Sequence, residues 1–217
     1  MSDLCHKRAV KRPAVDEVHR ELQRWGGIIV HFSGVPPGVS AGAGLTFPAD
    51  LQHVIAGNAQ KGIACSTVKP GDVFEITPTY NYRNSWGCIG VVVRSQHPWS
   101  LVGATPHDGG SSVPPGSGGF RYCAHSNTDL RIQEVIDSLA GRSPSGPNEW
   151  VLRDYEVLGV LIQPPLSVHA LGMYATWPQI VAAFPNQKFY TIEPNGLFEV
   201  DPGTTQMTPA GVAALYP

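Results

Sequence analysis

The stretch Ser145-Gly-Pro-Asn-Glu-Trp-Val-Leu-Arg-Asp-Tyr-Glu-Val-Leu-Gly-Val-Leu-Ile162 decides how this chain is read. A loop rich in Ser, Gly and Pro delivers Asn148 and Glu149 into an apolar run. After Arg153-Asp154 a second run follows, with Val157, Leu158, Val160, Leu161 and Ile162, so two strands are expected here. A carboxylate placed where a loop meets a buried strand is partly desolvated and rigidly held, which suits a catalytic acid. An ordinary loop acid capping a strand has the same residue type. A second stretch far upstream, Ile28-Ile-Val-His-Phe-Ser33, weighs against that plain reading.

Asn148-Glu149-Trp150-Val151-Leu152 resembles the strand that carries the catalytic glutamate of the diphtheria-toxin-like ADP-ribosyltransferases, a family that includes the poly(ADP-ribose) polymerases. The first core strand of that family ends in His-x-Ser or His-x-Thr, and His31-Phe32-Ser33 closes an apolar strand in the same way. The order, histidine first and glutamate late, is also the family's. The resemblance covers residues 28–162. It implies an α+β domain with a split, mainly antiparallel β-sheet core, flanking short helices, and an NAD cleft between the His31 strand and the Glu149 loop. Glu149 would be catalytic. His31, Phe32, Ser33 and Asn148 would lie against NAD, which is consumed as a substrate. His31 would bind a hydroxyl of the adenosine ribose, and Ser33 the nicotinamide amide. The family also stacks a tyrosine on the nicotinamide ring, with Tyr80 and Tyr82 as candidates and Tyr82 preferred; a flat π-face suits that purpose. Surface tyrosines in a loop are the plain alternative.

Composition sets the outer bounds. The chain has 217 residues and 42% hydrophobic content, with 24 Gly and 20 Pro. That supports one cored domain with many turns and little long helix. Residues 1–26 read as an arm and helix, and residues 27–217 as a single catalytic domain. A formal net charge of −2 gives no electrostatic case for nucleic-acid binding through steering. The four cysteines, Cys5, Cys65, Cys88 and Cys123, contain no CxxC and indicate neither a zinc site nor a disulfide framework. No metal is expected. The first residues lack an apolar segment of signal-peptide type, and no run is long enough to span a bilayer. The expectation is a cytoplasmic protein, or an effector delivered into a target cell without a cleavable signal.

Along the chain, Val15, Val18, Leu22 and Trp25 stand at helical spacing before Gly26-Gly27. Residues 27–32 form the first core strand. The Gly-rich residues 33–44 lack both GxGxxG and the P-loop lysine, so no Rossmann or Walker site is present. In the resemblance, this loop borders the adenosine half of NAD. A helix is expected over 48–60, with Leu51, Val54 and Ile55 inward and Gly62 beyond its end. Residues 63–68 form a small-residue strand whose Ser66-Thr67 pair reads either as site hydroxyls or as ordinary strand hydroxyls. Strands follow at 73–76 and 87–94, the second pairing as a hairpin with 99–104. Residues 108–119 are low-complexity loop, and 130–139 a short helix. A helix at 178–184 and strands at 188–192 and 197–200 precede a mixed polar and apolar tail.

The resemblance implies cleavage of the nicotinamide–ribose bond and transfer of ADP-ribose to a macromolecular acceptor, protein or nucleic acid. No GxYF-type segment like that of the polymerases is found, so mono-ADP-ribosylation by a toxin or effector, with an antitoxin or immunity protein as a possible partner, is the expected form; NAD hydrolysis is the variant. A rival resemblance pairs Cys88 with His107, like the Gly-Cys strand and following histidine of toxin-type glutamine deamidases. A non-catalytic binding domain is the third reading.

Overall fold

The computed structural model describes residues 15–33, 47–58, 62–71, 89–97, 100–105, 149–163, 168–170 and 173–217. The expected strand at 73–76, the helix at 130–139, residues 34–44 of the Gly-rich loop, the loop at 108–119, and Tyr80, Tyr82, Cys88, His107 and Asn148 all lie outside the described residues.

Helix α1 (Val15–Trp25) begins with Asp16 and Glu17 in its first turn, where negative charge meets the positive end of the helix dipole. Its Val18 and Leu22 are buried in the same apolar cluster as the strands. Gly27 N–H closes the helix on Leu22 O at 2.8 Å, and strand β1 (Ile28–Phe32) follows at once. Helix α2 (Ala49–Ile55) buries Leu51 and Val54. It is shorter than the spacing predicts, because Gly57, at φ +71, turns the chain out of the helix well before Gly62.

Strands β2 (Ile63–Val68), β3 (Ile89–Ser95), β4 (Leu101–Thr105), β5 (Glu149–Leu152) and β6 (Tyr155–Ile162) come next. A small hairpin of β7 (Val168–Ala170) and β8 (Met173–Ala175), which the sequence does not announce, precedes helix α3 (Trp177–Ala183). Strands β9 (Phe189–Glu193), β10 (Gly196–Val200) and β11 (Met207–Pro209) and the short helix α4 (Val212–Leu215) complete the described elements.

Nine strands form one ladder in the order β11-β10-β9-β6-β3-β1-β2-β5-β4. All neighbours are antiparallel except β6 and β9. The fold is therefore mixed α+β, with a mainly antiparallel open sheet and short helices. The apolar runs 28–30, 91–93 and 160–162, β-branched but for Leu161, occupy its centre, and every one of their side chains is buried.

The ladder changes partners along β2. Strand β2 pairs with β1 through Ser66, Thr67 and Val68 and with β5 through Ile63, Ala64 and Cys65. Strands β5 and β6 are joined only by Arg153-Asp154, yet β2, β1 and β3 lie between them in ladder order. Four strand spacings in a flat sheet are about 19 Å, whereas the link from Leu152 to Tyr155 reaches about 11 Å. The β2-β5-β4 portion must therefore turn back toward the β6 side. The corner is tied by Arg153 N–H to Ser100 O at 2.8 Å and by Ser100 Oγ–H to Asp154 O at 3.1 Å. The expected hairpin of 87–94 with 99–104 is thus corrected. Strand β3 takes β1 and β6 as neighbours, and β4 takes β5. Burial accounts for the difference: β3 is buried everywhere but at Arg94 and is paired on both of its edges in the core.

Candidate functional site

The site is built around the point where β2 changes partners. On one side, His31 follows the pair Val30–Ser66; on the other, Glu149 precedes the pair Trp150–Cys65. Both residues therefore flank the same short segment of β2, although 118 positions separate them in the chain (149 − 31).

His31 Nδ1–H donates to Ala64 O at 2.7 Å, which fixes the ring against β2. Desolvation of the half-buried ring lowers its pKa below the ordinary 6.5; the Ala64 bond and the charge of Asp50 oppose this in part. At neutral pH the ring is uncharged and Nε2 carries a lone pair, which makes no hydrogen bond among the described residues. A histidine held in this way can accept a proton donor such as a ribose hydroxyl.

Glu149 opens β5 opposite Thr105 of β4 and is half-buried. The next residue, Trp150, is fully buried, and its Nε1–H donates to Thr67 Oγ1 at 2.8 Å. That bond locks the residue that follows Glu149 into the core. The Glu149 charge reaches Cys65: burial pushes the Cys65 thiol well up, and Glu149 pushes it further. The thiol is 2% exposed and stays protonated.

Ser33 is 3% exposed. Its hydroxyl donates to Asp50 Oδ2 at 2.6 Å, while Asp50 Oδ1 accepts the Leu51 N–H at 2.8 Å. Ser33 N–H continues the β1 ladder by donating to Ile89 O at 3.1 Å. The end of β1 is thereby stapled to the first turn of α2, and α2 is in turn held to β6 by Tyr155 O–H donating to Val54 O at 2.9 Å. Burial pushes the Tyr155 phenol up to about 12.

The structure thus sets His31, Phe32 and Ser33 at the end of β1 and Glu149 across β2 from them. Of the Ser66-Thr67 pair, Thr67 serves as the acceptor for Trp150. Asp50 and Cys65 were not singled out by the sequence reading as site residues. An acid in the first turn of a helix was the available signal for Asp50, and Cys65 had none beyond its place in an apolar strand. The rival cysteine site expects Cys88 and His107 on partnered strands; the strands beside them, β3 and β4, are not neighbours.

Among the described residues, no group of three or more His, Cys, Asp or Glu is arranged to hold a metal ion, and no helix is long and apolar enough to cross a membrane. No protein-family model, curated protein or solved structure matches the chain.

Proposed function

We propose that the protein is a mono-ADP-ribosyltransferase that cleaves the nicotinamide–ribose bond of NAD, with the split sheet as its ADP-ribosyltransferase-like core. The observation that carries this reading is the bracketing of one β2 segment by His31 and Glu149, two residues whose motifs resemble the family's. In this reading the glycosidic C–N bond breaks through an oxocarbenium-like state, and nicotinamide leaves as a neutral molecule. The Glu149 carboxylate stabilises the positive charge developing at the anomeric carbon and hydrogen-bonds the ribose hydroxyl. It then orients the acceptor nucleophile, which forms the new bond to that carbon and releases its proton toward the carboxylate. His31 holds the adenosine ribose through Nε2 and transfers no proton. The nicotinamide end lies toward Ser33. Asn148 beside Glu149, and Tyr80 or Tyr82 over the nicotinamide ring, complete the proposed contacts. NAD is a substrate here, and the acceptor is a macromolecule, as for a toxin or effector.

The test is transfer of label from adenylate-labelled NAD to components of a cell lysate. Wild type should label an acceptor, and Glu149→Gln should reduce labelling at least about 100-fold, the scale of losing a charge-stabilising group in the transition state. Equal labelling by the two proteins would refute the role of Glu149.

A further inference from the structure

We infer that Thr67 is a positioning residue for the reaction proposed above: through Trp150 it fixes where Glu149 stands relative to His31. This role rests on the NAD reading and adds to it a residue outside the motifs that suggested that reading.

The side chains around the partner change on β2 are tied crosswise. Ser66, Thr67 and Val68 pair with β1, and Ile63, Ala64 and Cys65 pair with β5. His31 belongs to β1, yet its ring donates to Ala64 O in the β5-paired portion at 2.7 Å. Trp150 belongs to β5 and is the register partner of Cys65, yet its indole N–H donates to Thr67 Oγ1 in the β1-paired portion at 2.8 Å. Thr67 is the diagonal neighbour of Trp150 on the adjacent strand, a separation that an aromatic side chain spans. Each flank is thus anchored on the part of β2 that pairs with the other.

Thr67 and Trp150 are both fully buried. The indole has a single polar group, its N–H. Removing the Thr67 oxygen therefore leaves that donor buried and unpaired, which favours movement of the ring. Glu149 is covalently next to Trp150, with Cα atoms about 3.8 Å apart, so it moves with it. Stabilising charge at the anomeric carbon depends steeply on where the carboxylate stands, and a shift of about 1 Å can cost about 100-fold in rate. Binding of NAD is spread over several contacts and is less sensitive to one of them. Thr67 acts only through Trp150 and takes no part in bond breaking.

The test compares wild type, Thr67→Val, which keeps the shape and removes the hydroxyl, and Thr67→Ser, which returns it. For Thr67→Val, kcat of nicotinamide release per folded molecule should fall about 10–100-fold, while the calorimetric Kd for NAD stays within about threefold of wild type. Thr67→Ser should recover most of the rate. Trp150→Phe removes the donor from the other side and covers the case in which Thr67→Val folds poorly; it should lose as much rate, and the double variant no more than either single one. The Glu149 carboxyl signal in carbon NMR, identified by its absence from Glu149→Gln, should move in Thr67→Val and return in Thr67→Ser. A folded Thr67→Val with wild-type kcat overturns the inference and leaves the NAD reading intact. So does a Thr67→Ser protein as impaired as Thr67→Val, since the methyl group and not the hydrogen bond would then matter. A wild type that releases no nicotinamide removes the NAD reading, and the role of Thr67 in that reaction with it.

Discussion

The Tyr216 hydroxyl is inserted beside Ile29 in the β1–β3 ladder: it accepts the Ile29 N–H at 2.8 Å and donates to Val93 O at 2.9 Å. Ile29 and Val93 are register partners, so the phenol occupies the place of their direct backbone bond. It does so two residues before His31. Its segment is held by His19 Nδ1–H to Pro217 O at 3.0 Å and by an Arg94 guanidinium N–H to Leu215 O at 2.9 Å, with the His19 ring edge-on to Tyr216 at 5.5 Å. Burial also pushes the Tyr216 phenol well above its usual pKa, which keeps the donor protonated.

Tyr216→Phe keeps the ring packing and leaves a buried N–H and a buried C=O without their partner. The expected cost is about 2 kcal/mol, or a fall in Tm of about 4–8 °C. Thermal unfolding measures it, and an unchanged Tm would show that β1 and β3 close on each other directly.

Gly90 of β3 lies under the end of β1. A Cβ there would stand 2.5 Å from Val30 Cγ1 and 2.7 Å from His31 O, with Phe32 Cδ1 at 3.0 Å. Gly90→Ala should therefore cost about 1–3 kcal/mol and displace the His31 signals in NMR spectra. Gly211→Ala, at the N-cap of α4 where a Cβ meets nothing within 4 Å, is the comparison and should change stability by less than about 1 kcal/mol. Similar behaviour of the two variants in urea unfolding would contradict this packing.

The lowered pKa of His31 has a definite sign in its effect on stability. Between the folded value and 6.5, the unfolded chain binds the proton and the folded one does not, so stability rises with pH across that window and falls as pH drops below about 6.5. An NMR titration of the ring should give a value under 6.5, and His31→Gln should remove part of the acid-side loss. A ring titrating above 6.5 would mean that Asp50 and Ala64 outweigh desolvation.

Cys65 should resist alkylation in the folded protein at pH 8, since its thiol is buried and held protonated. Peptide mapping after iodoacetamide treatment should find it modified only when urea is present. Rapid labelling without urea would place it on an accessible wall and revise the geometry around Glu149.

What the sequence made legible follows the physical range of each signal. Helix α1 and the strands at 28–32, 63–68 and 149–162 are written in local periodicity and β-branched runs, and the structure has them where that pattern puts them. Pairing is not local. Strands 89–95 and 101–105 look like a hairpin because they are close in sequence, yet burial on both faces of β3 draws in β1 and β6 instead. The two-residue corner at Arg153-Asp154 hides a change of sheet for the same reason. The length of α2 is not written locally, because a glycine at 57 can either continue a helix or end it. Tyr216 could not be read at all, since its two partners are 187 and 123 residues away. His31 and Glu149 were legible as motifs, while their meeting across β2 belongs to tertiary structure. The Ser33–Asp50 bond, formed between residues 17 apart in the chain, had only the acid at the start of α2 to suggest it.

The most direct measurement is nicotinamide release from NAD by purified wild type beside Glu149→Gln and Cys88→Ala. The account predicts release by wild type and by Cys88→Ala, and a loss of at least about 100-fold in Glu149→Gln. No release by wild type, even with cell lysate supplied as acceptor, would contradict it, as would release that survives Glu149→Gln and disappears with Cys88→Ala.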